Sequence, residues 1–288
     1  MKRKAFAKLN LSLNIVEQRP DGYHDQNMVM VPINLFDTVE IQVAESMSLE
    51  TDKYYLPNDK RNSVMKAINI LRTRYHFKEN FRIRIVKNTP TRSGMGGGSS
   101  NAALTIRMLN ELLKLDMSED ELLEVADLVE TDAPFTMFGR PAQVKGTGNI
   151  IDPIDNKLKF WLFIVKPKRG ISTRQLFKHI NYDHMEHFDS DKVRRALETN
   201  DYQLLLDNIG NSLEHTAIKF VPEIKKIKKE LVKFGFDKVV MTGSGSTVYA
   251  ITQDEKLVDA AIPKYFLKYS FVKKAHVISD VREVEKIR

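Results

Sequence analysis

Residues 90–103 read Pro-Thr-Arg-Ser-Gly-Met-Gly-Gly-Gly-Ser-Ser-Asn-Ala-Ala, and this stretch decides the fold of the chain. Four glycines fall within the five positions 94–98, and two serines follow them. A loop of this kind lets backbone N–H groups converge on an anion, because glycine tolerates positive φ and carries no side chain. A helix start adds unpaired N–H donors and a partial positive charge. Phosphate is therefore the ligand that this stretch predicts.

The segments on either side of the loop predict a strand before it and a helix after it. Residues 81–86 alternate apolar and charged side chains, as a half-buried strand does. After the loop, apolar residues recur at steps of four, three and four, at Ala102, Ile106, Leu109 and Leu113. The predicted order is strand, glycine loop, helix.

Several phosphate-binding loops do not match this stretch. No lysine follows the glycines, which excludes a Walker A loop, and Ser99 stands where a dinucleotide fingerprint requires its third glycine. The His-Arg-Asp and Asp-Phe-Gly motifs of protein kinases are missing from the sequence. The stretch instead resembles the Pro-x-x-x-Gly-Leu-Gly-(Gly)-(Gly)-Ser-Ser-x-Ala-Ala motif of the GHMP kinases, with Met95 in the leucine position. A flexible glycine turn is the plain alternative.

The resemblance implies a fold and a role for the loop. GHMP kinases are small-molecule kinases with a two-domain α/β (α+β) fold and an active site in the cleft between the domains. We expect an N-terminal ATP-binding domain at residues 1–155 and a C-terminal domain at residues 156–288, divided at a turn-rich stretch near residues 152–156. ATP is the implied co-substrate, with Mg²⁺. The implied ATP-binding residues are Pro90, Thr91, Arg92, Ser93, Gly94, Met95, Gly96, Gly97, Gly98, Ser99 and Ser100. The hydroxyls of Ser99 and Ser100 are the implied neighbours of the metal.

A second segment narrows the resemblance to one branch of the family. Residues 7–11 read Ala-Lys-Leu-Asn-Leu, and residues 19–24 read Arg-Pro-Asp-Gly-Tyr-His. Alone, Lys8 is an ordinary surface charge and Asp-Gly an ordinary hairpin turn. Together they resemble the opening of the GHMP kinases that phosphorylate a hydroxyl of a cytidine diphosphate sugar alcohol in the non-mevalonate isoprenoid pathway. Phe6 replaces the proline of that branch.

This branch resemblance implies roles for four of these residues. Lys8 is the implied catalytic lysine, and Asn10 orients the substrate. Tyr23 and His24 are the implied contacts to cytosine, since a tyrosine ring stacks on a base and an imidazole reads its polar edge. Phe177 either covers the other face of the base or lies in the core.

A third segment, Thr131-Asp132-Ala133-Pro134-Phe135, contains the implied catalytic aspartate. An aspartate two residues before proline is by itself more often a helix N-cap or a turn residue. By position in the family motif, Asp132 accepts or orients the proton of the attacking hydroxyl, although Thr131 and Ala133 depart from the family pattern.

Near the end of the chain, residues 243–247 read Gly-Ser-Gly-Ser-Thr between two predicted strands, residues 238–241 and 248–251. The loop resembles the third GHMP motif. The implied substrate contacts in it are Gly243, Ser244 and Gly245.

Composition and charge set the remaining expectations. The 288 residues include no cysteine, so disulfides and cysteine-based metal sites are excluded. No apolar run reaches membrane-spanning length, and no long apolar core follows the charged N-terminus, so we expect a cytoplasmic protein without a signal peptide.

The net charge of +7 leaves a nucleic-acid partner as a less favoured alternative. Much of the excess positive charge lies in residues 225–233, where it matches the solvated face of a helix whose apolar face is Ile224, Ile227 and Leu231. The predicted partners are therefore small molecules, with a monomer or homodimer as the assembly. A homoserine-type or mevalonate-type kinase is the other alternative, but it would lack Asp-Gly-Tyr-His.

Overall fold

The computed structural model describes residues 1–287 of the chain. Within this range the strands are β1 (Lys2–Gln18), β2 (His24–Ala44), β3 (Ser48–Thr51), β4 (Asn80–Val86), β5 (Ala142–Gly146), β6 (Ile150–Pro153), β7 (Trp161–Lys166), β8 (Gly210–Asn211), β9 (Lys238–Met241), β10 (Val248–Thr252) and β11 (Phe271–His276). The helices are α1 (Ser63–Tyr75), α2 (Gly97–Leu113), α3 (Glu119–Val129), α4 (Ala133–Phe138), α5 (Thr173–Phe177), α6 (Ser190–Thr199), α7 (Tyr202–Asn208), α8 (Glu214–Phe220), α9 (Glu223–Phe234), α10 (Glu255–Phe266) and α11 (Val281–Val284). One turn of 3₁₀ helix spans Tyr182–His184.

A long antiparallel hairpin, β1 with β2, is the centre of the first sheet. The sheet has seven strands in the order β3-β4-β2-β1-β8, with β5 paired to β2 and β6 paired to β5. The sequence predicted one or two strands in residues 29–43, and the structure has a single strand of 21 residues. Pro32 is tolerated within it because it lies at an irregularity of the ladder opposite Lys8.

The second sheet has four antiparallel strands in the order β11-β7-β10-β9. The chain leaves the first sheet after β6 and enters the second at β7, so the crossing lies between Pro153 and Trp161. The division at residue 155 stays a prediction. One element crosses back, because the two residues of β8 pair in parallel with Ser12 and Leu13 of β1. The C-terminal half therefore completes the first sheet.

Capping residues explain where several helices begin and end. The side chain of Asn62 accepts a hydrogen bond from the Val64 N–H at the start of α1. Ser118 and Glu121 form the predicted capping box of α3. Helix α9 follows Pro222 and is capped at its C-terminus by Gly235. It buries Ile224, Ile227 and Leu231, which leaves its lysines on the outer face. The predicted solvated lysine face is confirmed.

Apolar clusters hold the sheets and helices in fixed relation. One cluster joins the first sheet to helices α1, α2 and α3, and Ala102, Ile106 and Leu109 of the predicted helix face are fully buried in it. Another cluster contains residues of β1, β2, β7 and β10, so the two sheets share one core. Burial of this kind stabilises the fold by about 25 cal/mol per Å² of apolar surface. Over residues 1–287, no helix is both long enough and apolar enough to span a bilayer.

Candidate active site

The glycine loop joins β4 to α2 and turns sharply at two glycines. Gly94 and Gly96 have φ of 75° and 65°, in the left-handed region that favours glycine. Helix α2 starts at Gly97, whose φ is not positive, and its first hydrogen bond runs from the Ser100 N–H to the Gly96 carbonyl. The N–H groups of residues 97–99 therefore have no partner inside the helix, as an anion-binding helix N-terminus requires.

A cavity of about 330 Å³ lies along this loop. Ten of the eleven predicted ATP-binding residues line it: Pro90, Thr91, Arg92, Ser93, Gly94, Met95, Gly96, Gly97, Gly98 and Ser99. Ser100 is the exception, because its buried hydroxyl donates a 2.6 Å hydrogen bond to the Phe6 carbonyl behind the loop. Its hydroxyl is thus committed to holding α2 against β1. The Ser99 hydroxyl donates to Glu130 Oε2 at 2.7 Å.

The two predicted catalytic side chains meet next to this cavity. Lys8 Nζ lies 3.2 Å from Asp132 Oδ2 and donates a 2.7 Å hydrogen bond to Asn10 Oδ1. The Lys8 side chain is only 3% exposed, whereas that of Asp132 is 35% exposed. A buried ammonium therefore faces a carboxylate that remains open to a substrate. Asn10 thus holds the Lys8 ammonium in place.

Asp132 occupies the N-cap position of α4, but it does not cap the helix. Its φ and ψ are helical, and its side chain makes no capping hydrogen bond. Pro134 in the first turn lacks an N–H, so the helix start needs fewer acceptors. The carboxylate is thereby left free to pair with Lys8, which is the arrangement that the catalytic interpretation requires.

The glycine-serine loop between β9 and β10 packs directly against the phosphate loop. A Cβ at Gly94 would lie 2.1 Å from the Thr242 carbonyl oxygen, and one at Gly243 would lie 2.7 Å from the Gly94 carbonyl oxygen. Gly243 and Ser244 line a second cavity of about 310 Å³ together with Lys8, Asn10 and Asp132. Gly245 is not among the residues that line this cavity, and a Cβ there would meet Met241 Sδ at 2.6 Å. Gly245 thus serves the packing of the loop against β9.

The predicted base-binding residues line a third cavity of about 540 Å³. Tyr23 is 60% exposed at its rim, so it is not a core residue. His24 is buried, and its ring centroid lies 5.0 Å from that of Phe177. His24 Nε2 lies 2.8 Å from the Tyr182 hydroxyl oxygen. Burial lowers the pKa of His24 below its ordinary value near 6.5.

The three cavities form one continuous trench. The first and second share six lining residues, Gly94, Ser99, Glu130, Asp132, Thr173 and Ser244. The second and third share five, Gln26, Thr131, Thr147, Thr173 and Phe177, and of these Thr173 lines all three cavities. The Lys8–Asp132 pair lies at the middle cavity, between the phosphate loop and the aromatic pocket. The trench therefore has room for two ligands, one on each side of the Lys8–Asp132 pair.

Sequence reasoning missed several residues that line this trench or contact residues that line it. Glu130 accepts hydrogen bonds from the hydroxyls of Ser63 and Ser99, and its place two residues before Asp132 could have indicated it. Lys87 pairs with Asp37, which is completely buried. Asp37 also accepts from the N–H groups of Asn88 and Thr89, at 2.8 and 2.7 Å, and so fixes the segment before the loop. The contact of Tyr182 with His24 had no local signal, because 158 residues separate them.

Comparison with known proteins places the chain in a family. Residues 62–140 match the family described as "GHMP kinases N terminal domain", and residues 193–268 match "GHMP kinases C terminal". The chain belongs to the GHMP kinases.

The relatives narrow the match within that family. A protein of Levilactobacillus brevis is 40% identical over 251 residues, which are 86% of this chain and 88% of the relative. One of Geobacillus thermodenitrificans is 36% identical over 255 residues, 88% of each chain. Both are named 4-diphosphocytidyl-2-C-methyl-D-erythritol kinase.

Solved structures agree on the fold. The crystal structure of a 4-(cytidine 5'-diphospho)-2C-methyl-D-erythritol kinase superposes with a TM-score of 0.81, at 24% identity, over 96% of this chain and 99% of that chain. A homoserine kinase from Cytophaga hutchinsonii superposes with a TM-score of 0.72 at 16% identity, over 97% and 95% of the two chains. The predicted family and the two-domain fold class are thus confirmed.

Proposed function

We propose that this chain transfers the γ-phosphoryl group of ATP to a hydroxyl of 4-diphosphocytidyl-2-C-methyl-D-erythritol. The observation that carries the proposal is the position of the Lys8–Asp132 pair, midway along a trench with a phosphate loop at one end and an aromatic pocket at the other. The names of the relatives in Levilactobacillus and Geobacillus support the choice of acceptor.

The chemistry requires positioning and charge stabilisation more than covalent participation by the protein. The hydroxyl oxygen of the acceptor attacks the γ-phosphorus of ATP while Asp132 accepts the proton of that hydroxyl. The bond between the γ-phosphorus and the bridging oxygen breaks, and ADP is released. Lys8 holds the Asp132 carboxylate in place and offsets negative charge on the transferred group. The N–H groups at the start of α2 receive the phosphates of ATP.

The donor set at the loop fits Mg²⁺. The Ser99 hydroxyl and the Glu130 carboxylate are hard oxygen ligands, and they lie side by side at the ATP cavity. In residues 1–287, no three His, Asp or Glu side chains cluster as a metal site. Bound there by Ser99 and Glu130, Mg²⁺ would neutralise charge on the phosphates.

The aromatic pocket is the proposed site for the cytosine base. Tyr23 at the rim and Phe177 inside the pocket offer ring faces for stacking, and His24 offers a polar edge. The cytoplasmic location and the monomeric or dimeric state stay predictions of the sequence.

A phosphate-transfer assay tests the proposal. Purified protein, ATP and Mg²⁺ are incubated separately with 4-diphosphocytidyl-2-C-methyl-D-erythritol, homoserine and mevalonate, and new phosphomonoester is followed by ³¹P NMR. We expect product with the cytidine substrate alone and none with Asp132→Asn. Product with homoserine or mevalonate instead would support kinase activity but overturn the proposed acceptor substrate.

A further inference from the structure

Tyr182 contacts His24, a residue of the aromatic pocket, and nothing above gives Tyr182 a role. It lies on the 3₁₀ turn Tyr182–His184, and its hydroxyl oxygen is 2.8 Å from His24 Nε2. The two rings are nearly parallel, with an interplanar angle of 15°, and their centroids lie 6.4 Å apart. The other ring nitrogen, Nδ1, has no hydrogen-bond partner in residues 1–287, while His24 lines the cavity. Tyr182 therefore occupies the Nε2 edge of the ring, and Nδ1 keeps its capacity to bind a ligand.

This contact decides which nitrogen of His24 carries the proton. A neutral imidazole has one N–H and one bare nitrogen, and the partner of one nitrogen fixes the state of the other. Burial keeps His24 neutral at physiological pH, because it lowers the pKa of the ring. A phenol is a better donor than acceptor, since its oxygen lone pair is delocalised into the ring, whereas a bare imidazole nitrogen is a strong acceptor. Tyr182 then donates to Nε2, and the proton of His24 lies on Nδ1.

A donor at Nδ1 distinguishes the two pyrimidines. The N3 atom of cytosine is a bare acceptor, whereas N3 of uracil carries a hydrogen. An Nδ1–H group can donate a hydrogen bond to N3 of cytosine, but it would meet the N3–H group of uracil donor to donor. A site that places two donors against each other, or leaves a polar group unpaired, rejects a ligand strongly.

We propose that Tyr182 is a positioning residue that fixes the Nδ1–H tautomer of His24, and that this tautomer makes the pocket select cytosine over uracil. The selectivity rests on the proposed function, whereas the tautomer can be tested without any substrate.

Two measurements test the two parts. Tyr182→Phe removes the hydroxyl and keeps the ring, and Tyr54→Phe is the matched control, because Tyr54 is 99% exposed. The first measurement is a long-range ¹H–¹⁵N spectrum of protein labelled at histidine nitrogen, with His24 assigned from the signal lost in His24→Gln. We expect the Nδ1–H pattern in the wild type and in Tyr54→Phe, and a mixture of tautomers in Tyr182→Phe. An Nε2–H pattern in the wild type overturns the proposal.

The second measurement is calorimetric titration with CDP and with UDP, with the ATP site filled by a non-hydrolysable ATP analogue. We expect the preference for CDP to fall at least tenfold in Tyr182→Phe, with the melting temperature unchanged. An unchanged preference for CDP in Tyr182→Phe overturns only the role of Tyr182. Failure of the wild type to bind CDP overturns both the selectivity and the cytidine part of the proposed function, whatever the tautomer.

Discussion

Asp132→Asn separates a catalytic carboxylate from a structural one, because asparagine keeps the shape of the side chain and removes the base. Loss of general-base catalysis lowers kcat by about 10²–10⁴-fold. This corresponds to about 2.7–5.4 kcal/mol of activation free energy. Since Asp132 acts on the proton that is transferred in the transition state and not on substrate binding, KM for both substrates should change by less than about threefold.

The cost in stability can be bounded from the same contact. Charges 3.2 Å apart, as Lys8 Nζ and Asp132 Oδ2 are, attract by about 5 kcal/mol at an effective dielectric constant of 20. Because the Asp132 side chain is 35% exposed and Lys8 keeps Asn10 as a partner, the net loss should be about 1–2 kcal/mol. The melting temperature should therefore fall by only a few degrees, about 2–4 °C per kcal/mol.

The assay is a steady-state coupled measurement of ADP release together with a thermal melt. Asp127→Asn is the matched control, since Asp127 is exposed on α3 and the substitution is the same. The control should keep full activity. A folded Asp132→Asn protein with near wild-type kcat would refute the base assignment, and so would an equal loss in both variants.

Three more predictions follow from the geometry. Gly97→Val should weaken ATP binding at least tenfold by calorimetry, because a Cβ there would lie 3.0 Å from Thr89 Cγ2 and 3.1 Å from Lys87 Nζ; unchanged affinity would move the phosphate site elsewhere. Tyr23→Ala should cost about 1–3 kcal/mol of cytidine-substrate binding, the range for base stacking, and leave ATP binding and melting temperature unchanged, because the ring is 60% exposed. A lower melting temperature with unchanged KM would contradict it. Binding of random RNA should be weak and vanish at physiological salt, since the lysines of α9 form a solvated face; submicromolar affinity there would favour the nucleic-acid alternative.

Much of the fold could be predicted because its signals are local. Alternation in residues 81–86 marks β4, the Ser118–Glu121 pair marks the start of α3, and Gly235 marks the end of α9. Each depends on a few neighbouring residues whose backbone preference agrees with the fold. The order strand, glycine loop, helix was predictable for the same reason.

The parts that could not be predicted depend on contacts between distant residues. The two-residue strand β8 is too short to show a period, and only its pairing with Ser12 and Leu13 defines it. The glycines of the loop predicted left-handed backbone somewhere in it. Only the structure shows that Gly94 and Gly96 have positive φ and that Gly97 does not. The roles of Lys8 and Asp132 came from family resemblance. Their 3.2 Å separation supports those roles, which stay predictions until the variants are measured.

The close approach of Gly94 to residues 242 and 243 has a consequence for recombination between relatives. The two loops touch backbone to backbone, and the Asn211 side chain donates to the carbonyls of Met241 and Gly243 from the strand that completes the first sheet. In a chimera joined near residue 155, the loop between β9 and β10 would therefore have to pack against the phosphate loop of the other parent. Its β8 strand would also have to pair with the β1 strand of that parent. Exchange of halves should succeed only between parents that share both features, so the two loops are expected to change together or not at all.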